Sequence, residues 1–125
     1  MKITNKAVLL VNLGSPDSYE TRDVRRYLKE FLLDPFVIDL PYVLRQLVVR
    51  CFILPFRPKK SAAAYKSVWT EEGSPLIVRS YKLKQLLAKQ LSVPVSLGMR
   101  YGQPSMKQGF QELITHNPNL EEVFM

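Results

Sequence analysis

The sequence predicts an α/β fold, a parallel β-sheet flanked by helices, and three observations carry that expectation. Ala7–Asn12 (AVLLVN) is a short apolar run without polar alternation, the pattern of a strand buried on both faces. A second such run, Val93–Leu97, appears only after several stretches with helical spacing. The resulting order is strand, several helices, strand, helix, strand, which is how parallel strands are joined by helical crossovers.

Each element has its own signal. The first strand stops at Gly14-Ser15-Pro16-Asp17, a dense turn sequence. Thr21–Leu33 repeats Val24, Tyr27, Leu28, Phe31 and Leu32 at helical spacing, with Arg22, Arg25, Arg26, Lys29 and Glu30 between them. Asp34-Pro35 ends it, because proline disfavours helical geometry in the residue before it. Pro41 suits the first turn of a second helix, expected to run to about Leu54 and to be stopped by Pro55 and Pro58. In it Val43, Leu44, Leu47, Val48, Cys51, Phe52 and Leu54 form the apolar arc, and Arg45, Gln46 and Arg50 the rest.

Ser61–Trp69 reads as a short helix with Ser61 as N-cap. After the Gly73-Ser74-Pro75 turn, Leu76–Leu91 reads as a helix with Leu76, Ile77, Tyr81, Leu83, Leu86, Leu87 and Leu91 on its apolar face. Val93–Leu97 is the second strand and Gly98–Pro104 the loop leaving it. Ser105–Thr115 is an amphipathic helix built on Met106, Phe110, Leu113 and Ile114. Asn117-Pro118-Asn119 is a turn, and Glu122–Met125 begins a third strand. An ending inside a strand leads to the expectation of a longer protein, of which residues 1–125 form one partial domain.

Composition narrows the function classes. The 125 residues are 46% hydrophobic and 23% charged, the make-up of an ordinary globular domain rather than a disordered chain. Eighteen Lys and Arg against 11 Asp and Glu give a net charge of +7, which favours acidic partners. The longest basic cluster is Arg57, Lys59 and Lys60, too short for a nucleic-acid tail, and no nucleic-acid motif is present, so no nucleic-acid partner is expected. Phe36–Phe56 is apolar but contains Asp39, Arg45, Arg50 and two internal prolines, which argues against a transmembrane helix. No signal peptide is visible, and a cytoplasmic location is the expectation. The single cysteine, Cys51, has no partner for an internal disulfide and is expected to be a buried, inert thiol.

In open parallel sheets ligands collect beyond the C-terminal ends of the strands. Two loops belong there, Leu13-Gly14-Ser15-Pro16 and Gly98-Met99-Arg100-Tyr101-Gly102. Arg100 and Tyr101 offer a fixed cation and an aromatic hydroxyl, suited to a carboxylate or a flat conjugated ligand. On spacing alone an equal alternative stands, in which Arg100 caps a helix and Tyr101 fills the core. Neither dinucleotide nor P-loop glycine patterns occur, which disfavours nucleotide binding. His116, the only histidine, is expected at a helix end, away from the ligand side. No paired histidines or histidine–carboxylate spacing marks a metal site, and Glu71-Glu72 reads as a solvated turn.

Four runs carry a resemblance to a known family: VNLGSPDS (Val11–Ser18), VRRYLKEFLLDPFVIDLP (Val24–Pro41), ILPFRPKKSAAAYKSVWTEEGSPL (Ile53–Leu76) and LGMRYGQPS (Leu97–Ser105). With these the chain resembles ferrochelatase, particularly the bacterial form that uses protoporphyrin. The resemblance implies a Rossmann-like, chelatase-type domain, one of two that face each other across a porphyrin cleft. It implies insertion of ferrous iron into protoporphyrin IX, the last step of heme biosynthesis, with ferrous iron and the porphyrin as substrates and no resident cofactor.

The resemblance also implies roles for seven residues. Leu13 takes the position nearest the metal on one porphyrin face. Arg57, Lys60, Tyr65 and Ser74 match positions around the macrocycle and its propionates, and Arg100 and Tyr101 match a pair deep in the cleft. Asp39–Phe56 resembles the apolar lip, which in some members touches the inner face of the membrane. The family's catalytic histidine and its glutamate partner are expected beyond residue 125. Neither His116 nor Cys51 matches a family residue of this kind, so the 125 residues are expected to hold no catalytic or metal-ligating group and to be inactive alone. A chelatase for coproporphyrin or a cobalt-dependent corrinoid precursor, and a non-catalytic module that binds porphyrin or docks on a membrane, are the alternatives.

Overall fold

The computed structural model describes residues 5–125. The backbone falls into two compact units, one of residues up to Gly14 together with Leu76–Met125, the other of Ser15–Pro75.

The first unit holds the sheet. Strands β1 (Lys6–Asn12), β2 (Val95–Met99) and β3 (Glu122–Phe124) are parallel in the order β2-β1-β3. Val8 pairs with Val95 and Ala7 with Val123. Every residue of β2 is buried, as an apolar strand covered on both faces requires. The second strand starts at Val95, two residues later than its composition predicts. Pro94 has no N–H for the ladder, though its carbonyl accepts from Val8 N at 2.9 Å. Gly98 and Met99, predicted as loop, extend β2 to its end.

The remaining helices of this unit are α4 (Pro75–Leu91), which also takes in Pro75 of the other unit, and α5 (Met106–His116). Helix α5 starts with a complete capping box: Ser105 Oγ accepts from Gln108 N, and Gln108 Oε1 accepts from Ser105 N. Ala7, Leu9 and Leu113 form a buried cluster, so α5 lies on the Ala7/Leu9 face of β1. The apolar face of α5 differs from its prediction. Gly109 and Leu113 are buried, while Phe110 and Ile114 are 44% and 43% exposed. The helix backbone approaches the sheet through Gly109, where a Cβ would sit 2.5 Å from the Leu97 carbonyl oxygen. A periodicity count cannot score a glycine as a contact residue, and so it selects the neighbouring stripe. Helix α4 meets the other face of β1, where Asn12 Nδ2 donates to Ser80 Oγ at 3.2 Å. Its predicted apolar residues Tyr81, Leu83, Leu86 and Leu91 are exposed, because periodicity defines a face without supplying a partner for it.

The second unit is helical. Helix α1 (Thr21–Leu32) buries Val24 and Tyr27 and packs against α3 (Arg57–Val68). The predicted helix from Pro41 to Leu54 forms as α2 (Tyr42–Leu47) followed directly by a π-helical segment, Val48–Ile53. The wider π turn shifts the facing of later residues. Val49 is buried while Cys51 is exposed, so the expectation of a buried thiol fails. Arg45, assigned to the polar side, is buried. Its Nη1 donates to the Leu40 carbonyl at 2.8 Å, and its Nε has no hydrogen-bond partner among the described residues.

Ser61 is not an N-cap. Helix α3 starts four residues earlier, at Arg57, with the buried Pro58 inside its first turn. Proline costs nothing there, since that N–H has no intrahelical acceptor, so Pro58 opens α3 rather than closing the preceding helix.

Asp23, in the first turn of α1, accepts from Ser18 Oγ at 2.7 Å and lies near Arg22 and Arg26. The Ser18 hydrogen bond first, and then the two guanidinium groups, hold its carboxyl below the ordinary aspartate value. A depressed folded-state value means stability that is present above the unfolded value near 4 and lost as pH falls through the folded one. Urea midpoints measured across that acidic range are expected to drop less steeply for Asp23→Asn than for the native chain. Parallel slopes would remove Asp23 as the cause.

Candidate functional site

The two strand-end loops come together at the same end of the sheet. Arg100 N donates to the Asn12 carbonyl at 2.9 Å, and Tyr101 N donates to the Leu13 carbonyl at 3.0 Å, so the β1–β2 ladder continues into the loops. Leu13 is 45% exposed, a sizeable apolar side chain left in the open. Gly14 follows with φ +110°, and an added Cβ there would run into the Tyr101 carbonyl oxygen. The close pairing of the loops therefore requires glycine at 14.

Arg100 and Tyr101 divide between the two readings left open by their spacing. The Tyr101 ring is buried, 4% exposed, and its hydroxyl accepts from Arg100 Nε at 3.0 Å. The Arg100 guanidinium lies 5.6 Å from the ring centroid, on an exposed residue. Tyr101 thus fills the interior, and it braces a cation just beyond the C-terminal end of β2. A recess of about 380 Å³ beside this end of β1 is lined by Asn12, Leu76, Arg79, Ser80 and Leu83. The Asn12–Ser80 link and Arg79 escaped sequence reasoning. The one available signal was an asparagine closing an otherwise apolar strand.

In the second unit, α3 brings two of the expected residues, Arg57 and Lys60, to one recess. A recess of about 370 Å³ is lined by Arg57, Lys60, Ser61 and Ala64. Among the described residues neither Arg57 nor Lys60 has an acidic partner, and both are exposed. They stand in the first turn of α3, where the helix dipole adds to their positive potential. Tyr65 lies two helical turns beyond Arg57, on the same face by the i, i+4, i+8 relation through Ser61. Partial burial pushes its phenol above the ordinary tyrosine value. Ser74 is buried and accepts from Ser15 Oγ at 2.7 Å, so its hydroxyl is engaged in holding the two ends of this unit together.

Tyr19 and Trp69 were missed as site neighbours. Trp69 meets both Tyr65 and Tyr19 edge-to-face, with ring centroids 6.4 and 5.9 Å apart. The Tyr65–Trp69 spacing of four residues at a helix end was the signal that could have found that pair. His116 is the last residue of α5, exposed, with Nδ1 2.9 Å from the Glu112 carbonyl, as its helix-end reading expects. Glu71 and Glu72 are exposed. Among the described residues no three His, Cys, Asp or Glu side chains converge as a metal site, and no helix is long and apolar enough to cross a membrane.

A parallel sheet flanked by helices, with its two strand-end loops paired at one end, places this unit in the α/β class of Rossmann-like domains. The ferrochelatase family model matches residues 5–124, which is nearly the whole chain. The chain is 49% identical over 120 residues to a ferrochelatase of Pseudomonas syringae pv. tomato, covering 89% of this chain and 35% of that protein. It is 52% identical over 112 residues to a ferrochelatase of Ectopseudomonas mendocina, with 89% and 33% covered. The chain belongs to the ferrochelatase family, and it spans about a third of the length of the curated relatives it matches.

Proposed function

We propose that the chain contributes porphyrin-binding groups and takes part in inserting ferrous iron into protoporphyrin IX. The observation that carries this reading is the exposed Arg57–Lys60 pair at the head of α3, without an acidic partner among the described residues, with a recess and the Tyr65 ring along the same helix. A porphyrin carries two propionates on one edge of a flat apolar ring, and that face offers cations at one end and hydrocarbon beyond. In the sheet unit, the exposed Leu13 supplies an apolar contact without a strong metal ligand, and Arg100 a fixed cation at the ligand side. Family membership supports iron and porphyrin as the substrates.

Metallation replaces two pyrrole N–H protons by one Fe²⁺, so two protons must be taken up by a base or by water. Among the described residues the strand-end loops carry no histidine or carboxylate placed to accept them; His116 sits at the end of α5. The 125-residue chain by itself is therefore expected to shift the protoporphyrin absorbance on binding and to insert no iron. Grafted in place of the aligned residues of the Pseudomonas fluorescens ferrochelatase, to which it is 50% identical over 113 residues, it is expected to support metallation. A folded chimera that binds porphyrin but never metallates it would count against the reading. So would turnover by the chain alone. Faster metallation of coproporphyrin than of protoporphyrin would move the assignment to the related chelatase.

A peripheral membrane contact is a second reading, favoured by one observation. In the Asp39–Phe56 lip, Tyr42, Val43, Phe52 and Phe56 are each more than two-thirds exposed, at 68%, 77%, 67% and 74%. Isolated exposed apolar residues are ordinary, but several on one short segment next to Arg50 and Arg57 suit an anionic bilayer surface. Flotation with anionic liposomes that fades with added salt would support it, and equal flotation with neutral lipid would not.

A further inference from the structure

We infer that Trp69 is a positioning residue for porphyrin: it fixes the Tyr65 ring, so that the phenol hydroxyl is held toward the ligand without a protein partner. The inference rests on the porphyrin reading above.

Tyr65 is half-buried, and its hydroxyl oxygen stays accessible. Among the described residues its hydroxyl makes no hydrogen bond, and burial already disfavours its ionised form. A buried phenol is ordinarily oriented by the partner of its O–H. Here the orientation comes from the ring instead. The Trp69 indole stands edge-to-face on it, with planes at 82° and centroids 6.4 Å apart. Trp69 is held in turn. Tyr19 packs against it at 78° and 5.9 Å, and Lys66 Nζ lies 5.9 Å from the Tyr19 ring. The residue ends α3 in extended backbone (φ −67°, ψ 138°), and the next residues close a tight turn. In that turn Thr70 N donates to the Gly73 carbonyl, and Gly73 N to the Thr70 carbonyl, each at 3.0 Å. Thr70 Oγ1 donates to the same Gly73 carbonyl at 2.7 Å. The indole therefore stands between the Tyr19 and Tyr65 rings, on a residue placed between a helix end and a closed turn. The phenol O–H remains available to a carboxylate or ring edge at the end of the α3 face that begins with Arg57.

The test is a double-mutant cycle on the chain, with protoporphyrin IX as the probe and its absorbance shift as the readout. Trp69→Leu is expected to weaken binding about tenfold, in line with the value of an edge-to-face pair, and Trp69→Phe to stay within about twofold. In a Tyr65→Ala background Trp69→Leu is expected to change nothing further, because its effect passes through Tyr65. A structural role alone would add to Tyr65→Ala rather than vanish on it. The second readout needs no porphyrin. The ring resonances of Tyr65, identified by their loss in Tyr65→Ala, are expected to titrate closer to the ordinary tyrosine value in Trp69→Leu and not in Trp69→Phe. Native-like affinity in Trp69→Leu, additive losses in the double variant, or an unmoved Tyr65 titration would each overturn the inference. Failure of the unsubstituted chain to bind protoporphyrin would instead overturn the porphyrin reading on which it rests.

Discussion

Gly14→Ala is expected to destabilise the chain by roughly 2–6 kcal/mol, because a backbone cost of roughly 1–3 kcal/mol and a similar overpacking cost fall together. Two separate penalties meet at this residue. Its φ of +110° lies where an L side chain is strained. In addition, the new methyl would collide with the Tyr101 carbonyl, which is backbone and cannot swing aside. Gly73 separates the two effects, because its φ is +119° and an added Cβ there meets nothing within 4 Å. Gly73→Ala is thus expected to lose only the backbone part, about 1–3 kcal/mol. Urea midpoints followed by circular dichroism would resolve the difference at unchanged denaturant slope. Equal losses at the two positions would show that the approach of the loops is loose. The functional consequence lies one step further. The same collision would push apart the segments that present Leu13 and Arg100, so Gly14→Ala should weaken porphyrin binding even at temperatures where the protein stays folded.

Removing the two cations at the head of α3 is the second large effect. Arg57→Ala and Lys60→Ala are each expected to cost about tenfold in protoporphyrin affinity, and the double variant about a hundredfold, in the range of hydrogen bonds to charged groups. Neither residue has an acidic partner among the described residues, so neither substitution strands a buried charge and stability should hardly move. Arg25→Ala, an exposed arginine on α1, is the control for net charge and is expected to leave affinity unchanged. Arg57→Lys keeps the charge but loses the fork that grips a carboxylate with two parallel N–H groups, so a partial loss is expected. The native affinity should also fall with ionic strength, and that dependence should flatten in the double variant. If Arg25→Ala weakened binding as much as Arg57→Ala, general charge attraction would replace a specific propionate contact.

The structure also separates the expected site residues by kind. Arg57, Lys60 and Arg100 are exposed cations, and Leu13 is an exposed apolar side chain. Tyr101 and Ser74 are buried, with their hydroxyls engaged by Arg100 and Ser15. The latter two act as supports: they hold a loop and a turn in place, and substitutions there should act on folding before they act on ligand affinity.

How much of this was legible beforehand depends on the range of the interaction. Apolar runs without alternation mark β1 and β2, and proline and glycine punctuation marks most element ends, since these are properties of a few adjacent residues. The capping box of α5 is equally local, and so is the placement of His116 at a helix end. The family resemblance was visible too, because it rests on linear runs of residues.

What the chain alone left open was decided by which surfaces meet. Pro58 can close one helix or open the next, and the structure selects the second because α3 begins at Arg57. The π-helical segment after Leu47 turns Cys51 outward and leaves Val49 inside, a change of register that no apolar count records. Gly109 outranks Phe110 as the contact residue of α5, because the missing side chain is what lets helix backbone reach strand backbone. The clasp of Trp69 on Tyr65 and the brace of Arg100 on Tyr101 likewise depend on ring planes and donor directions. Periodicity tells which residues share a face; only the packed chain fixes what that face meets, and at what angle.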